Sequence, residues 1–392
     1  MRISTSALYN ANVSMLNQQQ AKLLHTQQQL ASGRRMLTAS DDPIASARAL
    51  EVSQSDAMNT QYDTNRKAAS SSFSLAEGAL QSVTDLLQYV RTRSIEAGGA
   101  LTASMRQSMA ADLNARIQEL QGLANSTDGL GNYLFSGFQG RTQPFSGAAG
   151  AVQYNGDDGQ RMIQVSSSRQ LATADSGADI FMRIKSFATQ ATSGNTGSGI
   201  ISQGIVTNAA VISGNSYQVS FTGAGTYDVI QTTPAPAATL STANVYTSGQ
   251  AIAIGGMQFK ITGAPAAGDT FTATAANETI FKTIADLSSV LASGTATPAQ
   301  LADSISRATN MLDRGLDNVL TVRASLGSRM NEVDSLKAAG DDLELSFKAT
   351  LSQLQDVDYN KGISELNQQQ LSLQAAQKSF AQISSLSLFD YL

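Results

Sequence analysis

A single histidine, His25, and no cysteine in 392 residues set narrow limits on the chemistry this chain can perform. Without cysteine there is no disulfide, no thiolate metal site and no thiol nucleophile. One histidine leaves no defensible Ser, His and Asp set. His25 has no ligand partner at metal spacing, so it reads as a solvated or packed helix residue. Asn155, Asp157 and Asp158 lack the twelve-residue loop of alternating acids that holds calcium, and are expected to form a hairpin turn. Asp41 and Asp42 stand just before Pro43 and an alanine-rich stretch, where helix-capping acids belong. The glycines from Gly129 to Gly140 contain no GxxxxGK[ST] pattern and read as a turn at a bundle tip. The expectation is a protein without catalytic, cofactor or metal residues, and not an enzyme.

The residues whose spacing does carry a message are apolar. Leu16, Leu23, Leu30 and Leu37 recur every seven positions, with Tyr9 one heptad earlier and Val13 at an intermediate position. Tyr359, Leu366, Leu373 and Phe380 repeat the device near the other end, with Ile363 in the intermediate register. Each end therefore offers a coiled-coil seam. Both are flanked by glutamine runs, Gln18 to Gln20, Gln27 to Gln29 and Gln368 to Gln370, and by few charges. Residues 1–33 hold only Arg2 and Lys22, and after Ile363 only Glu365, Lys378 and Asp390 are charged. A solvated coiled coil normally lines its flanks with Glu and Lys. Uncharged polar flanks suit helices enclosed by other protein, because burying an unpaired charge costs far more than burying an amide. Pairing within one chain would also cover the leucines; the missing charge favours packing into a polymer. Such ends are expected to be mobile in the free subunit and to order on assembly.

Proline placement sets out the elements that must position these seams. Pro43, Pro144, Pro234, Pro236, Pro265 and Pro298 leave residues 44–143 and 299–392 free to be helical. Phe73, Ala76, Leu80, Val83, Leu87 and Val90 mark a helix; Met109, Leu113, Ile117, Leu120 and Ala124 mark a returning one beyond Gly98 and Gly99. Thr297-Pro298-Ala299-Gln300 is a helix start. It opens a seam from Leu301 to Leu336 with gaps at Gly315 and Arg329. Residues 140–276 change texture to Gly, Ala, Ser and Thr with short alternating runs, so they read as β structure, including a hairpin at Gly255-Gly256. A second hairpin is expected at residues 155–158, and residues 188–204 read as a loose connection.

The fold class expected is mainly α with a β insert: a long-helix bundle built from both chain ends, coiled-coil terminal helices and a central β-rich domain. The segments are 1–42 and 356–392 for the terminal helices, 43–139 and 277–355 for the bundle, and 140–276 for the outward-facing insert. A net charge of −5 with scattered basic residues argues against nucleic acid. No apolar run spans a bilayer, so no membrane insertion is expected. The opening MRISTSALYNANVSML lacks the features of a cleaved secretory signal.

Leu30-Ala31-Ser32-Gly33-Arg34-Arg35 followed by Ser40-Asp41-Asp42-Pro43-Ile44-Ala45 resembles the N-terminal signature of the flagellin superfamily. Within it, the Asp-Asp-Pro form, Gly131-Asn132-Tyr133-Leu134-Phe135-Ser136-Gly137-Phe138 and the ending Ser387-Leu388-Phe389-Asp390-Tyr391-Leu392 look like the hook-filament junction proteins of the FlgL type. The resemblance implies an extracellular component of the bacterial flagellum, exported unfolded through the flagellar channel with an uncleaved signal. It implies terminal helices in the inner tube and the β insert facing out. Its implied partners are the first hook-associated protein and flagellin as axial neighbours, further copies of itself in a ring, and a cytoplasmic export chaperone on the C-terminal region. Residues 188–276 enlarge the insert beyond the family minimum. Two other readings stay open: a flagellin-type filament subunit, and a secreted adhesin or enzyme whose working part is the β insert.

Overall fold

The computed structural model describes residues 5–385 apart from 209, 213 and 224; the closing signature Ser387–Leu392 lies outside the described residues. The helices are α1 (Thr5–Ser32), α2 (Pro43–Glu96), α3 (Ala103–Ala124), α4 (Gly177–Phe181), α5 (Ile280–Ala292), α6 (Pro298–Gln355) and α7 (Tyr359–Ser385). The chain divides into two compact units, Met1–Thr64 with Ser335–Leu392, and Asn65–Asp334. The first unit contains α1, α7 and the adjoining parts of α2 and α6. The second contains everything between.

Helix starts follow the local chemistry of the sequence. Thr297 and Gln300 form a reciprocal capping box: Gln300 N donates to Thr297 Oγ1 at 3.2 Å and Thr297 N to Gln300 Oε1 at 3.0 Å. Asp42 caps α2 through Ala45 N at 3.0 Å, and Thr102 caps α3 through Met105 N at 3.2 Å. In the second unit the α2 string Phe73, Leu80, Val83, Leu87 and Val90 is buried, as are Met109, Leu113, Ile117 and Leu120 of α3 and Leu312, Val319, Leu326 and Val333 of α6. The gaps in the α6 seam are filled. A Cβ on Gly315 would lie 3.2 Å from Ile280, and Arg329 stacks over Phe73 while its guanidinium pairs with Asp175. Helix α5, amphipathic with Ile284, Leu287 and Leu291 buried, was not anticipated and packs on α3, where Ser288 Oγ donates to Ala110 O.

The β region opens with two short ribbons. Strands β1 (Phe145–Ser146) and β2 (Gln153–Tyr154) form one, and β3 (Met162–Gln164) and β4 (Gln170–Ala172) the other. The expected hairpin at residues 155–158 is therefore incorrect, since β2 pairs backward and β3 forward. The acids between them bind elsewhere: Asp157 Oδ1 accepts from Phe138 N at 2.9 Å, and Asp158 pairs with Arg183 at 2.6 Å.

The remaining strands are β5 (Ile184–Ala191), β6 (Ile200–Ile201), β7 (Ile205–Val206), β8 (Ser216–Gly223), β9 (Thr226–Thr233), β10 (Ala238–Val245), β11 (Ala251–Ile254), β12 (Met257–Thr262) and β13 (Thr270–Glu278). They form an antiparallel sheet in the order β10-β9-β8-β13-β5 and a smaller one in which β12 pairs with β11, β6 and β7. Phe187, Val219, Phe221 and Phe271 of the first sheet share one apolar core with Ile252, Ile254, Met257, Phe259 and Ile261 of the second, a β-sandwich. The turn at Gly255-Gly256 is the expected two-residue hairpin, with both φ positive (56° and 82°) and Ile254 opposite Met257. Residues 188–191, expected to be loose, belong to β5, whose outer half pairs along β13 through its backbone while its side chains face solvent.

Candidate assembly site: the paired terminal helices

Within the first unit α1 and α7 lie side by side and run antiparallel. The ring of Tyr9 meets that of Phe380 at 5.3 Å, while Leu30, two residues before the end of α1, packs at Gly362 near the start of α7. A Cβ on Gly362 would stand 2.9 Å from Leu30 Cδ2, so a larger residue there would have to displace the Leu30 side chain.

Leu16, Leu23 and Leu30 of α1 and Leu366, Leu373 and Phe380 of α7 face this seam, and each is only half-buried. Tyr359 begins α7 and is 54% exposed, its hydroxyl lying over Gly33. Leu37 does not belong to the seam. Gly33, at φ +70°, ends α1, and Leu37 falls four residues beyond it in a turn. Its seven-residue spacing survives across a break in the helix. Ile363, expected in the intermediate register, is exposed, and Gly362 takes that place. The intermediate rungs are Gln19 and Thr26 on α1 and Gly362, Gln369 and Ala376 on α7, all half-buried or buried. Apolar spacing alone passes over them because they are polar or small; counting three residues past Leu16, Leu23, Tyr359, Leu366 and Leu373 finds them.

The connections that aim the two helices are tied to each other. Arg35 N donates to Gln355 O at 2.7 Å and Val357 N to Gly33 O at 3.0 Å; the Arg35 guanidinium reaches Leu354 O at 2.9 Å. Asp358 caps α7 through Asn360 N at 3.0 Å. Asp41 closes the α1–α2 turn by accepting from Leu37 N at 2.8 Å and Thr38 N at 2.9 Å, and its other oxygen lies 3.2 Å from His25 Nε2. Those backbone N–H groups of Thr38 and Leu37 hold the Asp41 carboxyl down from 3.8 to about 2. A lowered folded value stabilises the turn above the unfolded value and loses that contribution as pH falls from 3.8 toward about 2. Amide exchange at Leu37 and Thr38 is therefore expected to accelerate over that acid window, and in Asp41→Ala to be fast already at neutral pH. Slow exchange in that variant would contradict the assignment.

The pair leaves much uncovered. Tyr9, Met15, Leu24, Tyr359, Ile363 and Leu371 are half or more exposed on α1 and α7. A groove of about 290 Å³ lined by Gln19, Lys22, Glu365, Gln368, Gln369 and Ser372 runs between the helices. Among the described residues no cluster of His, Cys, Asp or Glu could hold a metal, and no helix is long and apolar enough to cross a membrane.

Comparison with known proteins places the same segments. The bacterial flagellin N-terminal helical region family matches residues 3–140, and the bacterial flagellin C-terminal helical region family matches residues 309–392. Flagellar hook-associated protein 3 of Salmonella typhimurium is 30% identical over 99% of this chain and 99% of its own length; that of Escherichia coli is 29% identical with the same coverage. The crystal structure of FlgL from Xanthomonas campestris, 30% identical, superposes with a TM-score of 0.61 over 77% of this chain and 99% of that one. Flagellar hook associated protein-3 from Legionella pneumophila gives 0.62 at 30% identity, covering 77% of this chain and 98% of its own. Identity that runs through both helical ends and the insert between them leaves one conclusion: the chain belongs to the flagellar hook-associated protein 3 family.

Proposed function

We infer that this chain is a structural subunit of the bacterial flagellum that acts at the hook-filament junction. The observation that carries the reading is full-length likeness to two flagellar hook-associated proteins, in a chain whose ends form a half-covered pair of low-charge helices. The relatives are flagellar structural proteins, and a relative from Legionella pneumophila is described as the flagellar junction protein FlgL. The finer reading is an adaptor: copies of the chain form a short zone outside the cell, with the first hook-associated protein on one side and flagellin on the other. Head-to-tail contacts of this kind need two different faces on each subunit. Export requires a chain held from assembling in the cytoplasm, and a chaperone covering the C-terminal helix supplies that. Its exposed Ile363 and Leu371 give such a chaperone apolar surface to cover.

Deleting the gene should leave hooks without attached filaments and flagellin monomer in the medium, and restoring the full chain should return filaments. Normal filaments in the deletion strain would contradict the junction role. Filaments built from this chain alone would support a flagellin-type subunit instead.

A further inference from the structure

At the root of the β insert lies a groove whose charges do not balance. Its space of about 280 Å³ is lined by Arg183 and Lys185, where the chain passes from α4 into β5, and by Arg314, Asp317, Asn318 and Thr321 of α6. Arg183 is already neutralised, since its guanidinium pairs with Asp158 and with Asp179, each at 2.6 Å. Asn318 is spent too, donating to Ile180 O at 3.0 Å.

Lys185 and Arg314 are placed differently. Lys185 Nζ donates to Ile212 O at 3.2 Å, and Arg314 donates to Val206 O at 2.7 Å and to Asn310 Oδ1 at 3.3 Å. All three acceptors are neutral, and among the described residues neither cation forms an ion pair. Both groups keep N–H donors unused. Arg314 is partly buried, and burial pushes its guanidinium down against the pull of Asp317. Lys185 and Arg314 against Asp317 leave the groove with one net positive charge, so a monoanion balances it and a doubly charged phosphate overshoots. Asp317 adds a second demand. Its exposed carboxylate accepts no hydrogen bond among the described residues, and hydroxyl groups would supply the donors. The volume of about 280 Å³ stands near the lower limit of roughly 300 Å³ for ligand pockets, which suits a single ring.

We propose that this groove binds an acidic sugar of the uronate type, with its carboxylate between Lys185 and Arg314 and its hydroxyls donating to Asp317. Lys185 belongs to β5 and Arg314 to α6, so the bound carboxylate bridges the insert and the helix behind it. The site goes beyond the junction reading and does not depend on it.

Ligand-observed saturation-transfer NMR on the full chain tests this, with glucuronate and glucose as probes and inorganic phosphate as competitor. Glucuronate should bind with a dissociation constant of about a millimolar, the scale for a ligand of its size, and glucose at least about tenfold more weakly. Phosphate should displace glucuronate only at about tenfold higher concentration. No transfer to glucuronate, equal binding of glucose, or easy displacement by phosphate each overturns the proposal. Lys185→Gln should weaken glucuronate about tenfold, while Lys260→Gln, an exposed lysine outside the groove, should leave it unchanged. Equal losses in both variants would mean diffuse attraction to basic surface and overturn the site. In Asp317→Ala the preference for glucuronate over phosphate should fall about fivefold. If both anions instead tighten in proportion, only charge is being read and the proposal fails. Lys185 and Asp317 are exposed, so the second unit should melt in these variants as it does in the unaltered chain.

Discussion

Leu23→Asp is expected to remove attached filaments while leaving the second unit folded. Leu23 is a half-buried rung of the α1–α7 seam, and the residues beside it on α1 carry one positive charge, at Lys22. Adjacent residues on a helix point to different sides, so Lys22 cannot neutralise an acid at position 23 within the seam. An aspartate there must lose part of its hydration against Leu-rich surface or force the helices apart. For a half-buried site the cost is about 2 kcal/mol, roughly thirtyfold in the pairing equilibrium. Leu366→Asp on α7 should behave alike. Motility on soft agar and filament counts by electron microscopy read the effect, with the melting of the second unit as the control. Full motility in both variants would show that the seam does not join the chain to its neighbours.

The second large effect is on stability. Phe281→Ala is expected to cost about 3–5 kcal/mol and lower the melting temperature of the second unit by roughly 10 °C. Phe281 is fully buried at the start of α5, with its ring 5.6 Å from Phe145 and 6.1 Å from Phe181. Phe181 in turn meets Phe135 edge-on at 5.9 Å, and Phe145 meets Tyr154 at a tilt, 5.3 Å away. This cluster gathers the Gly131–Phe138 signature, β1, β2, α4 and α5 around one point. Truncating one ring removes contacts from all of them and leaves a cavity the close-packed neighbours cannot fill. A scan in which the second unit melts unchanged would contradict that assignment.

The cluster also shows what the sequence made legible. Long helices announced themselves because one apolar stripe repeated over many turns, as from Phe73 to Val90, and because Thr297 to Gln300 carried a complete start signal. The Gly255-Gly256 hairpin was readable for a similar reason: only glycine takes two successive positive φ values cheaply. Strand partners were harder to see. Asp157 and Asp158 look like turn residues locally, yet they hydrogen-bond to Phe138 and Arg183, contacts that no local pattern encodes. Strand β5 was obscured because its outer half pairs through the backbone while its side chains stay wet.

The seam between α1 and α7 was half legible. Heptad leucines located both helices, while Leu37 misled because seven-residue spacing says nothing about whether Gly33 has already ended the helix. Gln19, Thr26, Gly362, Gln369 and Ala376 were hidden by their chemistry. A polar or small residue in a seam looks like surface until the partner helix is in place. That same mixture explains why none of the seam leucines becomes fully buried in a single copy.

Hydrogen exchange of residues 9–32 and 359–382, compared between the free chain and isolated flagella, tests most directly whether the terminal pair is the assembly site. Rapid exchange in the free chain and strong protection in the organelle are expected there, with little change in the core of residues 65–334. Full protection already present in the free chain, or none gained on incorporation, would contradict assembly through these helices.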